Sequence, residues 1–327
     1  MAPIIQVEHL VKRYKGAEAN AVDDVSFTVQ PGELFALLGP NGAGKTTTIS
    51  VLTTTLVATS GRVVIAGHDL QKDASGVRRN VGIIFQQPSL DLNLTAEENV
   101  RLHAILYGRY PFRPSYSTMP RAYRDEVRTL AEVVGIQDEL FKPLRTFSGG
   151  MKRKLEIVRS LIHQPAVLFL DEPTTGLDPA SRRSLWEYLS QVRSESGTTI
   201  FLTTHYLEEA EAADHICIIN RGRVVAEGTP TQVKSQLLER YLLLDSEDRG
   251  ALRHELVRRG IKHVETPVFK ISLNGTVAQE LVRSIATPLS LIQTHEPSLE
   301  DAYLEIVAPR NPTGTEPSGI TGGGITQ

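Results

Sequence analysis

The chain has 327 residues, 40% of them hydrophobic, a formal net charge of −3 and one cysteine, Cys217. That length and composition suit one large and one small core, and the weakly acidic balance argues against a nucleic-acid surface. A lone cysteine excludes a disulfide framework and fits a reducing compartment. No apolar run approaches the ~20 residues that span a bilayer, and Met1–Glu8 shows no basic-then-apolar leader. Any pore is expected on another chain.

Residues 4–30 alternate apolar and polar positions (Val25, Phe27, Val29) up to Pro31-Gly32, which predicts antiparallel strands. Leu34–Leu38 is a short apolar run of the buried-strand kind, followed by Gly39-Pro40-Asn41-Gly42-Ala43-Gly44-Lys45-Thr46-Thr47 and a helical stretch to Leu52. Strand, glycine-rich turn and helix together form a phosphate cradle. Gly39, Gly42 and Gly44 are expected to take positive φ and approach oxyanions. Backbone N–H groups from Asn41 to Thr46 would then face the phosphates at a helix N-terminus. Lys45 would hold the β- and γ-phosphates and Thr46 would ligate Mg²⁺.

Residues 92–159 read as a helical insert. Within it, YGRYPFRPSYSTMPRA (107–122) has the composition of an exposed loop. Phe147-Ser148-Gly149-Gly150 precedes an amphipathic helix with apolar residues at 151, 155, 158 and 162. Ser148 suits an N-cap, and the helix start suits an anion. Ala166–Leu170 is a second buried-strand run that ends in Asp171-Glu172. Paired carboxylates at a strand C-terminus suit metal and water chemistry, with Asp171 toward Mg²⁺ and Glu172, on the opposite side of an extended chain, toward an attacking water. Residues 34–90 and 160–226 would build a mainly parallel sheet with helices on both faces, in which Ile216–Ile219 is a buried strand.

Beyond Gly228-Thr229-Pro230 the pattern changes. Strand-like 241–244, helical 251–257, strand-like 268–271, helical 277–285 and strand-like 289–292 suggest a β-α-β-β-α-β, ferredoxin-like unit. Ser298-Leu299-Glu300-Asp301 has a capping-box signature. Residues 309–327 have the composition of a disordered tail.

The phosphate loop, FSGG, LFLDEP, Gly176-Leu177-Asp178 and Thr203-Thr204-His205, in this order, resemble the ATP-binding subunit of an ABC transporter. The likeness runs over residues 4–230, and FSGGMKRKLEIVRSLIHQPAVLFLDEPTTGLDP is similar to the drug- and antibiotic-resistance, daunorubicin-exporter-like branch. The resemblance implies an α/β fold: a P-loop core with an antiparallel β flank and helical insert, plus a small C-terminal α+β accessory domain over 236–308. It implies that residues 39–47 and Tyr14 contact ATP, with Tyr14 stacked on adenine. Ser148, Gly149 and Gly150 would grip the γ-phosphate bound to a second copy. Thr46, Gln86 and Asp171 would surround Mg²⁺. Glu172 would be the base, His205 the γ-phosphate switch, Lys45 the phosphate clamp and Asp178 a dimer-seam residue. Expected partners are an integral membrane permease and a head-to-tail second copy at the cytoplasmic face of the membrane, with no nucleic acid. Two departures stand out: FSGGM replaces LSGGQ, and the 107–122 loop is long. The alternative is a soluble ATPase of the same kind acting on a ribosome, DNA or protein assembly, against which stand a single cassette and no sustained heptads.

Overall fold

The computed structural model describes residues 2–85, 89–237, 241–273, 278–295, 298–301 and 303. Gln86, Gln87 and Pro88, and the tail over 309–327, lie outside the described residues. The chain divides into two compact units at 233/234.

In chain order the first unit contains β1 (Ile5–Lys12), β2 (Val22–Val29), β3 (Leu34–Leu38), α1 (Lys45–Leu52), β4 (Ser60–Ile65), β5 (His68–Asp69), α2 (Ala74–Asn80) and β6 (Val81–Ile84). The chain continues through α3 (Ala96–Leu106), α4 (Arg121–Val133), α5 (Gly149–Leu161), β7 (Val167–Asp171), α6 (Pro179–Ser196), β8 (Thr199–Thr204), α7 (Leu207–Glu211), β9 (His215–Asn220) and β10 (Arg223–Gly228), and the division between the units falls within α8 (Pro230–Leu237). One antiparallel sheet has the order β2-β1-β4-β5, and a six-stranded sheet has the order β10-β9-β3-β8-β7-β6. In the latter β9, β3, β8, β7 and β6 run parallel, and β10 is antiparallel to β9.

The parallel strands β3 and β7 are buried at every position, as a sheet covered on both faces requires. β4 and β5 lie inside the 34–90 stretch assigned above to the parallel core, yet they pair with the antiparallel flank. Val63 and Ile65 of β4 are buried opposite Val7 and Ile5 of β1, so the apolar partner, not chain order, sets the sheet. Phe27, Phe35, Phe201 and Phe169 pack ring against ring in that order, with centroids 5.1–5.3 Å apart, in the core that unites both sheets with α1.

α3, α4 and α5 make the helical insert. α3 starts with a reciprocal capping box between Thr95 and Glu98. Most of the 107–122 segment is exposed, as its composition suggests, but three of its residues pack inward. Tyr110 and Tyr116 meet the fully buried Tyr123 edge-on, Met119 is buried, and the Arg101 guanidinium donates to the Arg113 carbonyl at 2.9 Å.

The second unit contains β11 (Tyr241–Asp245), α9 (Arg249–Arg258), β12 (Val264–Thr266), β13 (Val268–Ser272), α10 (Ala278–Ser284) and β14 (Leu291–His295). Its antiparallel sheet has the order β12-β13-β11-β14, the ferredoxin-like arrangement. β12 is a strand that the sequence reading left out, and β14 starts two residues later than expected. The Asp301 N–H donates to Ser298 Oγ and the Ser298 N–H to Asp301 Oδ2, both at 3.0 Å, closing the capping box.

Glu255 of α9 organises the turn after α10. Its carboxylate accepts from the Ala286 N–H at 2.9 Å, the Thr287 N–H at 2.8 Å and the Thr287 hydroxyl at 2.7 Å. These bonds stabilise the charged form and hold its pKa down at about 2. A depressed carboxylate pKa adds stability that is complete above the unfolded value near 4.5 and is lost as pH falls through about 2. Glu255→Gln should therefore lower the denaturant midpoint of the second unit at pH 7 and flatten its loss between pH 4.5 and 2. Parallel acid profiles for the two proteins would refute this account.

Candidate functional site

The phosphate loop leaves β3, the strand flanked by β8 and β9, and enters α1. Gly42 and Gly44 have φ of 80° and 109°, as expected. Gly39 does not take positive φ. Its reason is space: a Cβ there would lie 2.3 Å from the Ile219 carbonyl oxygen of β9. Gly44 is doubly constrained, since a Cβ would also lie 2.5 Å from the Ala21 carbonyl oxygen. The β9–β10 turn braces the loop from below, with Gly222 N–H donating to the Ala43 carbonyl at 2.8 Å.

Lys45 is 4% exposed. Its ammonium donates to the Gly39 carbonyl at 2.8 Å and the Pro40 carbonyl at 3.2 Å, and lies 3.6 Å from Glu172 Oε1. Burial pushes its pKa down, while the charges of Glu172 and Asp171 push it up. Glu172 thus turns in toward Lys45. The reason is local: Glu172 has φ of 45°, in the left-handed region, which turns the backbone as it leaves β7. The Glu172 N–H stays anchored to β8 through the Thr203 carbonyl at 3.1 Å and the Thr203 hydroxyl at 3.2 Å. The same hydroxyl donates to Asp171 Oδ1. Asp171 is 4% exposed, and its pKa is raised by burial.

His205 leaves β8 with its Nδ1 3.2 Å from Glu172 Oε1. Glu172, His205, Lys45, Thr46 and Thr47, with Pro40, Asn41, Gly42, Gly44, Ala21 and Thr175, line a cleft of about 470 Å³. Tyr14 stands two residues past the end of β1, not within it. It is 46% exposed, its hydroxyl is 3.3 Å from Thr47 Oγ1, and the Lys12 ammonium lies 5.6 Å from its ring centroid, so a partly exposed ring stands beside the loop.

The cleft does not include Ser148, Gly149 or Gly150. Ser148 caps its own helix, accepting from the Met151 N–H at 3.2 Å, and both Ser148 and Gly149 are exposed. Asp178 caps α6, accepting from the Ala180 and Ser181 N–H groups at 3.0 Å. Gln86 lies outside the described residues.

Sequence reasoning missed a charged face on α5. Arg153 and Glu156 are buried and paired at 3.0 Å. Arg153 Nε donates to the Pro173 carbonyl at 3.0 Å, and Nη1 donates to the Phe85 carbonyl. Glu156 accepts from the Ser89 N–H at 3.0 Å, and Arg159 donates to the Ser89 carbonyl and hydroxyl at 2.6 Å. The i, i+3, i+6 spacing of these three charges was visible, but it reads as a solvated face until the packing is known.

A pair of adjacent carboxylates, a hydroxyl and a nearby phosphate cradle fit Mg²⁺, which keeps several waters and needs few protein ligands. Among the described residues there is no cluster of three or more acidic, His or Cys side chains of the kind that would cage a metal by itself.

The ABC transporter family description matches residues 22–175. A Nod factor export ATP-binding protein of Ralstonia nicotianae is 41% identical over 71% of this chain and 68% of its own length. The daunorubicin/doxorubicin resistance ATP-binding protein of Streptomyces peucetius is 42% identical over 75% of this chain and 71% of its own. This chain belongs to the ABC transporter family. It is an ATP-binding subunit, and ATP hydrolysis is its reaction. A doxorubicin resistance ATP-binding protein of Mycobacterium tuberculosis, 35% identical, matches 87% of this chain. Among solved structures, an ATP-binding subunit of an ABC transporter overlays 71% of this chain and 92% of its own with TM-score 0.62 and 33% identity. A dimeric ATP-binding cassette in a post-hydrolysis state, bound to ADP and Pi, overlays 69% of this chain and 98% of its own with TM-score 0.62 and 25% identity.

The two kinds of glycine constraint separate experimentally. Gly42→Ala puts a side chain into open space at positive φ, a cost of about 1 kcal/mol. Gly39→Ala forces backbone against backbone and should cost about 2 kcal/mol or more, within the range for overpacking. Denaturant unfolding of both variants checks this, and equal midpoints would contradict it.

Proposed function

We propose that the cleft takes Mg²⁺-ATP and that the chain drives a separate integral membrane permease through ATP-dependent, head-to-tail pairing of two copies. The convergence of Lys45, Glu172 and His205 on one cleft of the phosphate loop carries this reading. In it, residues 4–230 are the ATP-binding domain, with the helical insert at 92–159, and 236–308 an accessory domain.

Residues 39–47 wrap the phosphates with backbone N–H groups, and Lys45 neutralises the β- and γ-oxygens. Thr46, Gln86 and Asp171 hold Mg²⁺, which supplies charge stabilisation at the transferring phosphoryl group. Glu172 takes the proton of a water whose oxygen attacks the γ-phosphorus. The bond to the β–γ bridging oxygen breaks in line, leaving ADP and phosphate. His205, within reach of Glu172, contacts the γ-phosphate, and Tyr14 offers its ring to adenine. The Ser148-Gly149-Gly150 helix start, with Ser148 and Gly149 exposed and all three outside their own chain's cleft, supports a composite site in which it completes the γ-phosphate contacts of the second copy. Asp178 lies at that seam.

The relatives named for daunorubicin, doxorubicin and Nod factor support export of a drug- or antibiotic-like cargo. The permease selects that cargo and holds this chain at the cytoplasmic face of the membrane. No helix among the described residues is long and apolar enough to cross a membrane. No nucleic acid is involved.

Glu172→Gln should keep ATP bound while hydrolysis falls by about 10²–10⁴, the usual worth of a general base. It should also accumulate a dimer in Mg²⁺-ATP, read by light scattering. Near-normal turnover would assign the base elsewhere.

The permease has a testable docking point. Leu92 is 44% exposed, between the core and the insert, while Leu90 and Leu94 are half-buried. With its permease co-expressed, the chain should sediment with membranes, and Leu92→Glu should release it with its own ATPase rate intact. If no membrane protein co-purifies with the unaltered chain, the soluble-ATPase alternative replaces this reading.

A further inference from the structure

We propose that Tyr206 is a positioning residue for hydrolysis, holding the His205 imidazole against Glu172, and that Arg182 on α6 sets the Tyr206 ring. The inference rests on the reading of Glu172 and His205 as a reacting pair.

Tyr206 occupies the N-cap position of α7 but makes no side-chain cap bond. Its ring packs instead on its neighbour, with the centroids of His205 and Tyr206 4.1 Å apart and the planes inclined by 37°. The imidazole so held reaches Glu172 Oε1 at 3.2 Å, and no hydrogen bond of good geometry fixes that Nδ1. With no directional bond to orient it, the imidazole takes its position from the ring beside it.

Arg182 lies over the same ring, its Cζ 4.8 Å from the centroid. Its Nε is buried and has no hydrogen-bond acceptor among the described residues, so the aromatic ring is its principal partner. Arg182 sits in the first turn of α6, and its N–H donates to the Asp178 carbonyl at 2.9 Å. Asp178, which caps that turn, is the residue placed above at the seam with a second copy. The far side of the pair is pinned too, since the buried Thr174 hydroxyl donates to the buried Glu209 of α7. A continuous path of contacts therefore runs from the first turn of α6 through Arg182, Tyr206 and His205 to Glu172 and Lys45. Any shift of the α6 turn on pairing is transmitted to the imidazole through the Tyr206 ring.

Steady-state ATPase of the full chain tests this, with Tyr206→Leu, Tyr206→Phe and Arg182→Met each made alone and on His205→Ala. Tyr206→Leu should lower kcat by about tenfold at a KM within about twofold, a loss of orientation and not of binding. Tyr206→Phe, which keeps the ring, should restore the rate. Arg182→Met should lower kcat by about threefold, as loss of a cation–π contact would. On His205→Ala neither Tyr206→Leu nor Arg182→Met should have further effect. A drop that persists undiminished on His205→Ala would overturn the proposal, as would an unchanged kcat accompanied by a lower melting temperature. If Tyr206→Leu fails to fold, Arg182→Met on the two backgrounds decides alone. A wild-type rate for His205→Ala by itself would overturn the assignment of the pair, a result distinguishable from failure of the positioning role.

Discussion

A buried ammonium is the constraint around which the first unit is arranged. Lys45 is almost wholly removed from water, and an uncompensated charge there would be untenable. Burial lowers its pKa, and Glu172 at 3.6 Å and the charge of Asp171 oppose that, while two loop carbonyls accept its hydrogen bonds. The same carboxylates would repel a triphosphate were Lys45 absent. Lys45 is thus the group that lets acidic residues and an anionic substrate share one cleft. Its carbonyl contacts are neutral, so they can be exchanged for phosphate oxygens without leaving a charge unpaired.

The parallel sheet makes this arrangement possible because it delivers three strand ends to one edge. β3 brings the phosphate loop, β7 the carboxylates and β8 the histidine, with β8 lying between the other two. Thr203 on β8 is the hinge of the set. Its hydroxyl donates to Asp171 and accepts from the Glu172 N–H, so one buried side chain fixes the Asp171 carboxylate and the Glu172 backbone. Glu172 leaves the β region at that point, a strained backbone held by the Thr203 bonds. The strain places the carboxylate toward Lys45 and His205 instead of away from them.

Much of this was legible in the sequence because it is local. Buried-strand runs ending in a glycine turn or in paired acids need no partner to be recognised, and the Gly42 and Gly44 conformations follow from the turn itself. What was illegible depends on distant chain. The need for Gly39 comes from the Ile219 carbonyl, 180 positions away, and not from its own φ. The membership of β4 in the antiparallel flank is decided by Ile5 and Val7 of β1. The backbone of Glu172 was illegible too, because a two-residue period presumes extended backbone and this residue is left-handed. The Arg153–Glu156 pair was hidden for a similar reason: charge at helical spacing signals solvent unless burial is known.

That buried pair changes how α5 is to be understood mechanically. An amphipathic helix seated by apolar residues alone can slide over its neighbours, since burial is non-directional. α5 has such a stripe in Leu155, Val158 and Ile162, but Arg153, Glu156 and Arg159 add directional bonds to the Phe85 carbonyl, Pro173 carbonyl and Ser89. Hydrogen bonds to charged groups contribute about 1.5–3 kcal/mol each, and breaking a buried pair costs about 3–5 kcal/mol. Displacing α5 relative to β6 and the turn after β7 would forfeit several of these at once. The helix whose N-terminus carries Ser148 is therefore locked to the segment after Glu172 and to both flanks of residues 86–88. Motion at one of these points must be motion at all of them, which makes α5 a rigid member of the site even though Ser148 lies outside the cleft.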